Sequence, residues 1–339
     1  MPSYEPDPQV VLVAGGCGYI GSHMVRMLRD QGLRPVVIDN LSTGHADAVQ
    51  PGELRQGDIG DRTLVGAVLR ETRPACVMHF AAASLVGEST RNPSKYWRNN
   101  LEQTVGLLDA IVEVGLKPFI FSSTAAVFGN PQETPIRETH PLCPINPYGH
   151  TKLAVEYLLQ DYAQAHGLRS ISLRYFNAAG AHPDGSLGER HTPETHLIPL
   201  VLQAASGRRP HIARFGHQHA TPDGSCIRDY IHVQDLCAAH LLALRRLAAS
   251  GAENHACDAF NLGNGQGHSV NEVIAAARRV TGRAIDVREE PARAGDPPVL
   301  VADATRARQE LGWNPLYPDL DSILAHAWQW ERRQPAATA

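Results

Sequence analysis

Val10-Val11-Leu12-Val13-Ala14-Gly15-Gly16-Cys17-Gly18-Tyr19-Ile20-Gly21-Ser22-His23 reads as a buried strand, a glycine turn and the start of a helix. The glycines at 15, 18 and 21 form G-x-x-G-x-x-G. In that pattern Gly15 permits the tight turn, Gly18 lets a pyrophosphate approach the backbone, and Gly21 lets helix and strand pack closely. The helix then turns unpaired N–H groups and the positive end of its dipole toward the phosphates. A lone glycine motif is weak, but this one follows a strand and opens a helix. Asp39 ends the next predicted strand, 18 residues after Gly21. A carboxylate there accepts hydrogen bonds from a ribose 2′-hydroxyl and repels a 2′-phosphate, which favours NAD over NADP.

Working outward, apolar runs at 10–14, 35–38, 54–57, 76–80, 119–122 and 170–174 read as buried strands. Amphipathic stretches at 21–31, 61–71, 93–114 and 148–166 between them read as helices. This alternation predicts an α/β fold, a Rossmann-type doubly wound parallel sheet with helices on both faces. Ligands then gather at the carboxyl ends of the strands. There Asp58 can accept from an adenine amine, and the small residues Ala81, Ala82 and Ala83 leave room for a dinucleotide. Beyond residue 178 the chain is richer in Gly, Pro and His. Helices are expected at 197–206, 235–248 and 270–281, with strands at 260–262 and 285–287. The expected division is an NAD-binding domain of 1–178 plus about 230–264, and a smaller, partly interleaved α/β domain of about 179–229 plus 265–339.

The chemistry concentrates in Asn146-Pro147-Tyr148-Gly149-His150-Thr151-Lys152. Asn146 suits a helix N-cap and Pro147 the first helical position. Tyr148 and Lys152 then stand at i and i+4 on one helix face. A nearby ammonium, together with a positive nicotinamide, stabilises a phenolate and makes the phenol a usable acid or base. Lysine is rare in the chain, at positions 95, 117 and 152 only. The predicted fifth strand runs into Ser122-Ser123-Thr124. A hydroxyl at that edge can hydrogen-bond a substrate oxygen whose charge changes.

Composition narrows the classes. The chain has 339 residues, 43% hydrophobic and 19% charged, with a formal net charge of −4. It has the core of a globular protein and no global attraction to nucleic acid or an anionic membrane. No apolar run approaches the roughly 20 residues of a membrane helix, and the N-terminus lacks the pattern of a secretory signal. Six scattered cysteines without Cys-x-x-Cys suggest reduced thiols in the cytoplasm. The 17 histidines form neither His-Glu-x-x-His nor a Cys/His cluster. His217 and His219, in a polar loop, are the nearest approach, and no metal site is expected.

Further stretches carry a resemblance. These are Asp39-Asn40-Leu41-Ser42-Thr43-Gly44, Val86-Gly87-Glu88-Ser89, Asn99-Asn100, Leu173-Arg174-Tyr175-Phe176-Asn177, Gly180-Ala181-His182-Pro183, Arg228-Asp229-Tyr230-Ile231-His232-Val233 and Arg293-Ala294-Gly295-Asp296. With the glycine turn and the Tyr148–Lys152 pair, the chain resembles the extended short-chain dehydrogenase/reductase family, and within it the UDP-glucose 4-epimerases, from Val10 to about Trp330. The resemblance implies oxidation and re-reduction at C4 of a UDP-sugar with tightly bound NAD, Tyr148 as acid and base, and Thr124 at the same oxygen. It also implies that Lys152 holds the nicotinamide ribose and lowers the Tyr148 pKa. For the cofactor it adds Tyr19, Ile20, Asn40, Thr43, Gly44, Ile59, Phe80, Asn99 and Phe176 to the residues already named. For the UDP-sugar it implies Ser84, Thr124, Asn177, His196, Leu197, Phe215, Arg228, Arg293, Asp296 and Leu300. A homodimer is implied, through the helices near 93–114 and 148–166.

Four departures from the family pattern stand out. Ala14 replaces a common Thr, Thr124 a Ser, and Phe128 a Tyr. Leu300 is of intermediate size at a pocket wall that influences entry of N-acetylated sugars. Related dehydratases and decarboxylases place acids just after the strand-five hydroxyl, where this chain has Ala125 and Ala126. An alanine cannot move a proton. Two alternatives stay open: a 4-epimerase of another UDP-sugar, such as a UDP-N-acetylhexosamine or UDP-pentose, and a non-catalytic NAD sensor on the same scaffold.

Overall fold

The chain, described by a computed structural model for residues 4–249, 257–291 and 297–335, is built on one large parallel sheet. Its strands are β1 (Asp7–Ala14), β2 (Arg34–Asp39), β3 (Leu54–Gln56), β4 (Pro74–His79), β5 (Pro118–Thr124) and β6 (Arg169–Tyr175). After three strands of other sheets, β7 (Asn177–Ala179), β8 (Ile212–Phe215) and β9 (Ile227–His232), it is completed by β10 (Cys257–Leu262). The strand order is β3-β2-β1-β4-β5-β6-β10, all pairs parallel. The doubly wound sheet read from the sequence is therefore present.

The helices are α1 (Tyr19–Asp30), α2 (Arg62–Thr72), α3 (Val86–Arg91), α4 (Pro93–Tyr96), α5 (Gln103–Val114), α6 (Pro147–His166), α7 (Leu197–Ser206), α8 (Val233–Ala249), α9 (Val270–Thr281), α10 (Thr305–Leu311) and α11 (Leu320–Glu331). Strand β1 shows why they cover both faces. Its side chains alternate between the two sides of the sheet. Val11 and Val13 join Met24, Val25 and Leu28 of α1 and Leu236 of α8 in one core. Val10, Leu12 and Ala14 join Leu69 of α2, Ile111 of α5 and Val155 of α6 in the other. A continuous apolar run is what a strand buried on both faces requires.

The second lobe has its own core, with Val201 and Leu202 of α7, Val273 and Ile274 of α9, and Ile323 and Leu324 of α11. Its remaining strands are β11 (Gly267–Ser269), β12 (Val287–Glu290) and β13 (Val299–Leu300). β9 pairs with β7, β11 and β13, while β8 pairs with β12. The segment 265–339 does not pack as one piece. Ala304, Ala307, Leu311 and Trp313 return to the core of the large sheet, where the Trp313 indole donates to the Asp235 carbonyl at 2.8 Å.

The single helix expected over 93–114 is interrupted. α4 and α5 are joined by a π-helical turn, Trp97–Glu102, that buries Asn100. Such turns displace the ladder by one residue and often mark functional positions.

Helix α6 is held by a buried ion pair. Arg174 of β6 donates to both carboxylate oxygens of Glu156, at 3.0 and 2.5 Å, and the Ser123 hydroxyl of β5 donates to the same group at 2.5 Å. Both charges are almost wholly inaccessible. Removing one partner of such a pair leaves an uncompensated charge. Glu156→Ala is therefore expected to lower unfolding stability by about 3–5 kcal/mol, measured by urea denaturation. A loss below about 1 kcal/mol would show that the pair does not anchor α6.

Candidate active site

The sheet has one switch point inside it, between β1 and β4. From β1 the chain moves outward to β2 and β3, then returns to β4 on the other side. The loops after β1 and β4 thus part and leave a crevice at the strand ends. The Ala14 carbonyl accepts from the Phe80 and Ala81 amides at 2.7 and 3.0 Å, so the two loops touch at their base.

Local sterics explain the glycine turn. Gly15 has φ +80°, and a Cβ there would lie 2.4 Å from the Ala81 nitrogen. At Gly21 it would lie 2.1 Å from the Gly15 oxygen. Sequence reading passed over Gly16, where a Cβ would meet the Val37 side chain at 2.7 Å. Gly18 is different. A Cβ there meets nothing nearer than the Gly15 oxygen at 3.5 Å, so the fold itself does not demand glycine. Gly18 also caps α1 without any side-chain hydrogen bond, leaving first-turn amides for an outside acceptor. A bare position before free amides is what a bound pyrophosphate requires, and NAD fits this cradle.

The other expected cofactor residues ring the crevice. Asp39 accepts from the Cys17 amide at 2.9 Å and the Leu41 amide at 2.8 Å, tying the end of β2 to the glycine turn. Asn40 donates to Asp58 at 2.7 Å, with Ile59 following. Thr43 lines the cleft beside Gly18 and Tyr19, and Gly44 passes so close to Cys17 that a Cβ would sit at 2.9 Å. The Tyr19 hydroxyl donates to the Gly180 carbonyl at 2.7 Å, reaching the second lobe, and Ile20 follows it on α1. Phe80 stacks obliquely on His240, 4.7 Å between ring centres, and Ala82 continues the β4 loop toward Ser84.

Asn100 organises more than the sequence suggested. Its amide group exchanges hydrogen bonds with the Ala83 backbone at 2.8 and 2.9 Å and donates to Thr151 of α6 at 3.1 Å. Asn99 donates to Asn100 at 3.0 Å. The π-helical turn thus links the β4 loop to the helix that carries Tyr148.

Helix α6 starts as expected. Asn146 accepts from the Gly149 amide at 2.9 Å, and Pro147 opens the helix. A Cβ at Gly149 would lie 2.6 Å from the Ala126 oxygen, so glycine lets α6 press onto the turn after β5 and brings Tyr148 beside Thr124. Ala125 is buried there. Phe128, the departure from Tyr, is buried beneath the Arg174 guanidinium, 5.5 Å from its ring centre.

Burial acts on both members of the reactive pair. Burial raises Tyr148 above the ordinary phenol value of 10, and the Thr124 hydroxyl works against it by hydrogen-bonding the phenol. The Lys152 ammonium, 3% exposed, donates to the Ser122 carbonyl at 2.8 Å and lies 4.8 Å from the Phe121 ring centre. Burial pushes Lys152 down from 10.5 to about 7, because desolvation penalises the charged form.

The expected sugar-nucleotide residues are more dispersed. Leu300, with Phe176 expected at the cofactor, packs on the cluster of Ala125, Phe128 and Leu153. Leu300 also pairs with Arg228 across β13 and β9, which connects the reactive pair to the second lobe. Asn177 pairs with Tyr230, and Phe215 ends β8. Leu197 opens α7, whose N-cap is His196. The Nδ1 atom of His196 faces two glutamates, at 2.8 and 3.0 Å. Arg293 and Asp296 lie outside the described residues. Sequence reading also missed Asp229. It accepts from the backbone of Asn264, Gly265 and Ala302 and so joins β9 to both neighbouring segments.

A dinucleotide crevice beside a half-buried tyrosine and a buried lysine defines a pyridine-nucleotide redox site on a Rossmann sheet. A family model described as GDP-mannose 4,6 dehydratase matches residues 12–323. The UDP-glucose 4-epimerase of Halalkalibacterium halodurans is 49% identical over 325 residues, 96% of each chain. The crystal structure of UDP-glucose 4-epimerase from Brucella ovis in complex with NAD is 49% identical, with a TM-score of 0.90 over 94% of this chain and 97% of that one. The epimerase from Bifidobacterium longum in complex with NAD+ and UDP is 35% identical, with a TM-score of 0.92 over 97% and 100%. The chain belongs to this family of extended short-chain dehydrogenases/reductases.

The lowered Lys152 predicts a titration. Between about 7 and 10.5 the folded chain binds fewer protons than the unfolded one, so this group's contribution to stability rises with pH across that window and is least below it. With three lysines, NMR of lysine labelled at Cε resolves each side chain. In the ligand-free protein one signal should titrate near pH 7 and vanish in Lys152→Arg. Three signals all titrating near 10 would contradict the burial argument.

Proposed function

We propose that this protein is a UDP-glucose 4-epimerase, interconverting UDP-galactose and UDP-glucose through a 4-keto sugar. The observation that carries this reading is the end of β5. Thr124 meets Tyr148 there, and the next two residues are Ala125 and Ala126. The site can exchange a proton with one oxygen but has no acid placed to expel water or assist decarboxylation. The epimerase relatives support the same reaction.

When bound, NAD supplies a hydride acceptor and donor at C4 and a positive ring beside the phenol. The chain's own residues handle the proton. Tyr148 takes it from the 4-hydroxyl as the carbonyl forms and returns it when the carbonyl is reduced from the opposite face. Its raised pKa makes the phenol a poor base until a positive charge arrives next to it. Thr124 donates to the same oxygen as charge develops. Lys152 holds the nicotinamide ribose.

The UDP group is assigned to Asn177, His196, Leu197, Phe215, Arg228, Arg293 and Asp296, and the sugar to Ser84, Thr124 and Leu300. Residues 1–178 and about 230–264 form the cofactor domain. Segments 179–229 and 265–339 bind the sugar nucleotide, apart from the return of 304–313 to the large sheet. We also infer a cytoplasmic homodimer serving galactose metabolism. Among the described residues no helix is long and apolar enough to cross a membrane. Trp97, in the π-helical turn, and Tyr157, on α6, are exposed on the helices assigned to the dimer face.

Tyr148→Phe should retain NAD and lose about 10²–10⁴-fold of turnover, read by the formation of UDP-glucose from UDP-galactose. Near-normal turnover would refute its role. Consumption of UDP-N-acetylgalactosamine or UDP-arabinose instead of UDP-galactose would reassign the sugar. Bound NAD without turnover of any of these would point to a sensor.

A further inference from the structure

The loop between β7 and α7 gathers four side chains that take no part in the proposed proton transfer. Glu189, His191, Glu194 and His196 place one donor atom each within 4.8 Å of one another. The contacts are mutual. His196 Nδ1 lies 2.8 Å from Glu189 and 3.0 Å from Glu194, and His191 Nδ1 lies 3.2 and 3.6 Å from the same two carboxylates. We propose that these four residues form a binding site for a divalent transition-metal ion, zinc by its donor set, which fixes this loop against the cofactor cleft.

Three observations carry the proposal. The first is spacing. Zinc binds imidazole nitrogen and carboxylate oxygen at about 2.0–2.2 Å, which in a tetrahedron sets donors roughly 3.2–3.6 Å apart. The His191 separations, 3.2 and 3.6 Å, fall in that range, and those of His196, 2.8 and 3.0 Å, lie slightly short of it. The second is burial. The carboxylates of Glu189 and Glu194 are only 6% and 5% exposed. His191 Nδ1 is itself buried and points into the cluster, with only the two carboxylates beside it, at 3.2 and 3.6 Å. Two buried carboxylates converging on two imidazoles match a dication in charge as well as in shape.

The third is the support around the donors. Glu194 accepts from the amides of Thr195 and His196 at 2.7 and 2.9 Å, and the Trp330 indole donates to the Glu189 carbonyl at 3.0 Å. Hydrogen bonds that orient the ligands are what a stable metal site needs. Four protein donors close the coordination sphere, which is the arrangement of a structural metal rather than a catalytic one.

The consequence is positional. Arg190, between the donors, pairs with Asp47, and its carbonyl meets His45 Nε2 at 3.1 Å. The His45 amide in turn donates to the Cys17 carbonyl of the glycine turn. His196 is also the N-cap of α7. A metal here joins the wall of the dinucleotide cleft to the helix that opens on the second lobe. The reading of no metal site looked for His-Glu-x-x-His and Cys/His pairs. It passed over Glu-x-His-x-x-Glu-x-His, whose donors meet only because the loop doubles back.

The test is titration of the EDTA-treated full chain with CoCl₂ and with ZnCl₂. One equivalent of Co²⁺ should give the intense visible bands of a four-coordinate ion, and ZnCl₂ should abolish them and raise Tm. Glu189→Gln and His191→Ala should each weaken Zn²⁺ binding at least about 10–100-fold, whereas His217→Ala, at an exposed histidine elsewhere, should not. Absence of the bands and of any Tm shift in the wild-type chain would overturn the proposal and leave an ion-paired loop. Unchanged binding in Glu189→Gln and His191→Ala would overturn it too, as adventitious metal. If a variant proves misfolded by circular dichroism, Glu194→Asp replaces it, and the wild-type spectrum alone remains decisive.

Discussion

Two adjacent parallel strands whose chains depart in opposite directions cannot cover the space between their carboxyl ends. In this protein those strands are β1 and β4. One carbonyl, that of Ala14, receives the Phe80 and Ala81 amides and closes the base of the gap. The rest follows from holding it open. The backbone must pass within van der Waals contact on both sides, which excludes Cβ atoms at Gly15 and Gly21. It must also leave room at Gly18, where the protein itself demands nothing. Asp39 then fastens the end of β2 to the same turn through the Cys17 amide. The contrast between Gly18 and its neighbours separates the glycines that the fold requires from the one that a ligand requires.

The reactive groups are positioned from the other half of the sheet. Glu156 binds α6 to β5 and β6 from within the core, Gly149 lets its first turn sit against Ala126, and Asn100 links it to the loop after β4. Rigid elements thus fix Tyr148 from three directions. Burial here has opposite effects on two neighbours, raising the phenol and lowering the ammonium. Both changes disfavour charge, because burial penalises the ionised form of each group. A cofactor that carries positive charge therefore does more than accept a hydride, because it turns on the base beside it.

Much of this was legible in the chain. The strands β1, β2, β4 and β5 were readable because most of each is buried on both faces and apolar there. α7 and α9 matched their expected bounds, since their apolar periodicity is strong and a glycine ends each. The short strands β7, β9, β11 and β13 were not readable. They are two to six residues long, and their polar side chains, such as Arg228 and Asp229, serve pairing and recognition rather than a core. The π-helical turn leaves no mark in periodicity. The shared helix face of Tyr148 and Lys152 was readable from their spacing, whereas the burial that acts on both groups was not, because spacing carries no information about desolvation. The glutamate–histidine loop was missed for a related reason: its convergence is a property of the turn, not of the intervals.

The central claim is reversible oxidation at one carbon with no net chemistry elsewhere. It is tested most directly with UDP-galactose carrying deuterium at C4, followed by mass spectrometry and NMR of the product. The account predicts UDP-glucose that keeps the deuterium at C4, with no added NAD consumed and no NADH released. Loss of the deuterium to solvent, or a product lighter by water or carbon dioxide, would contradict it.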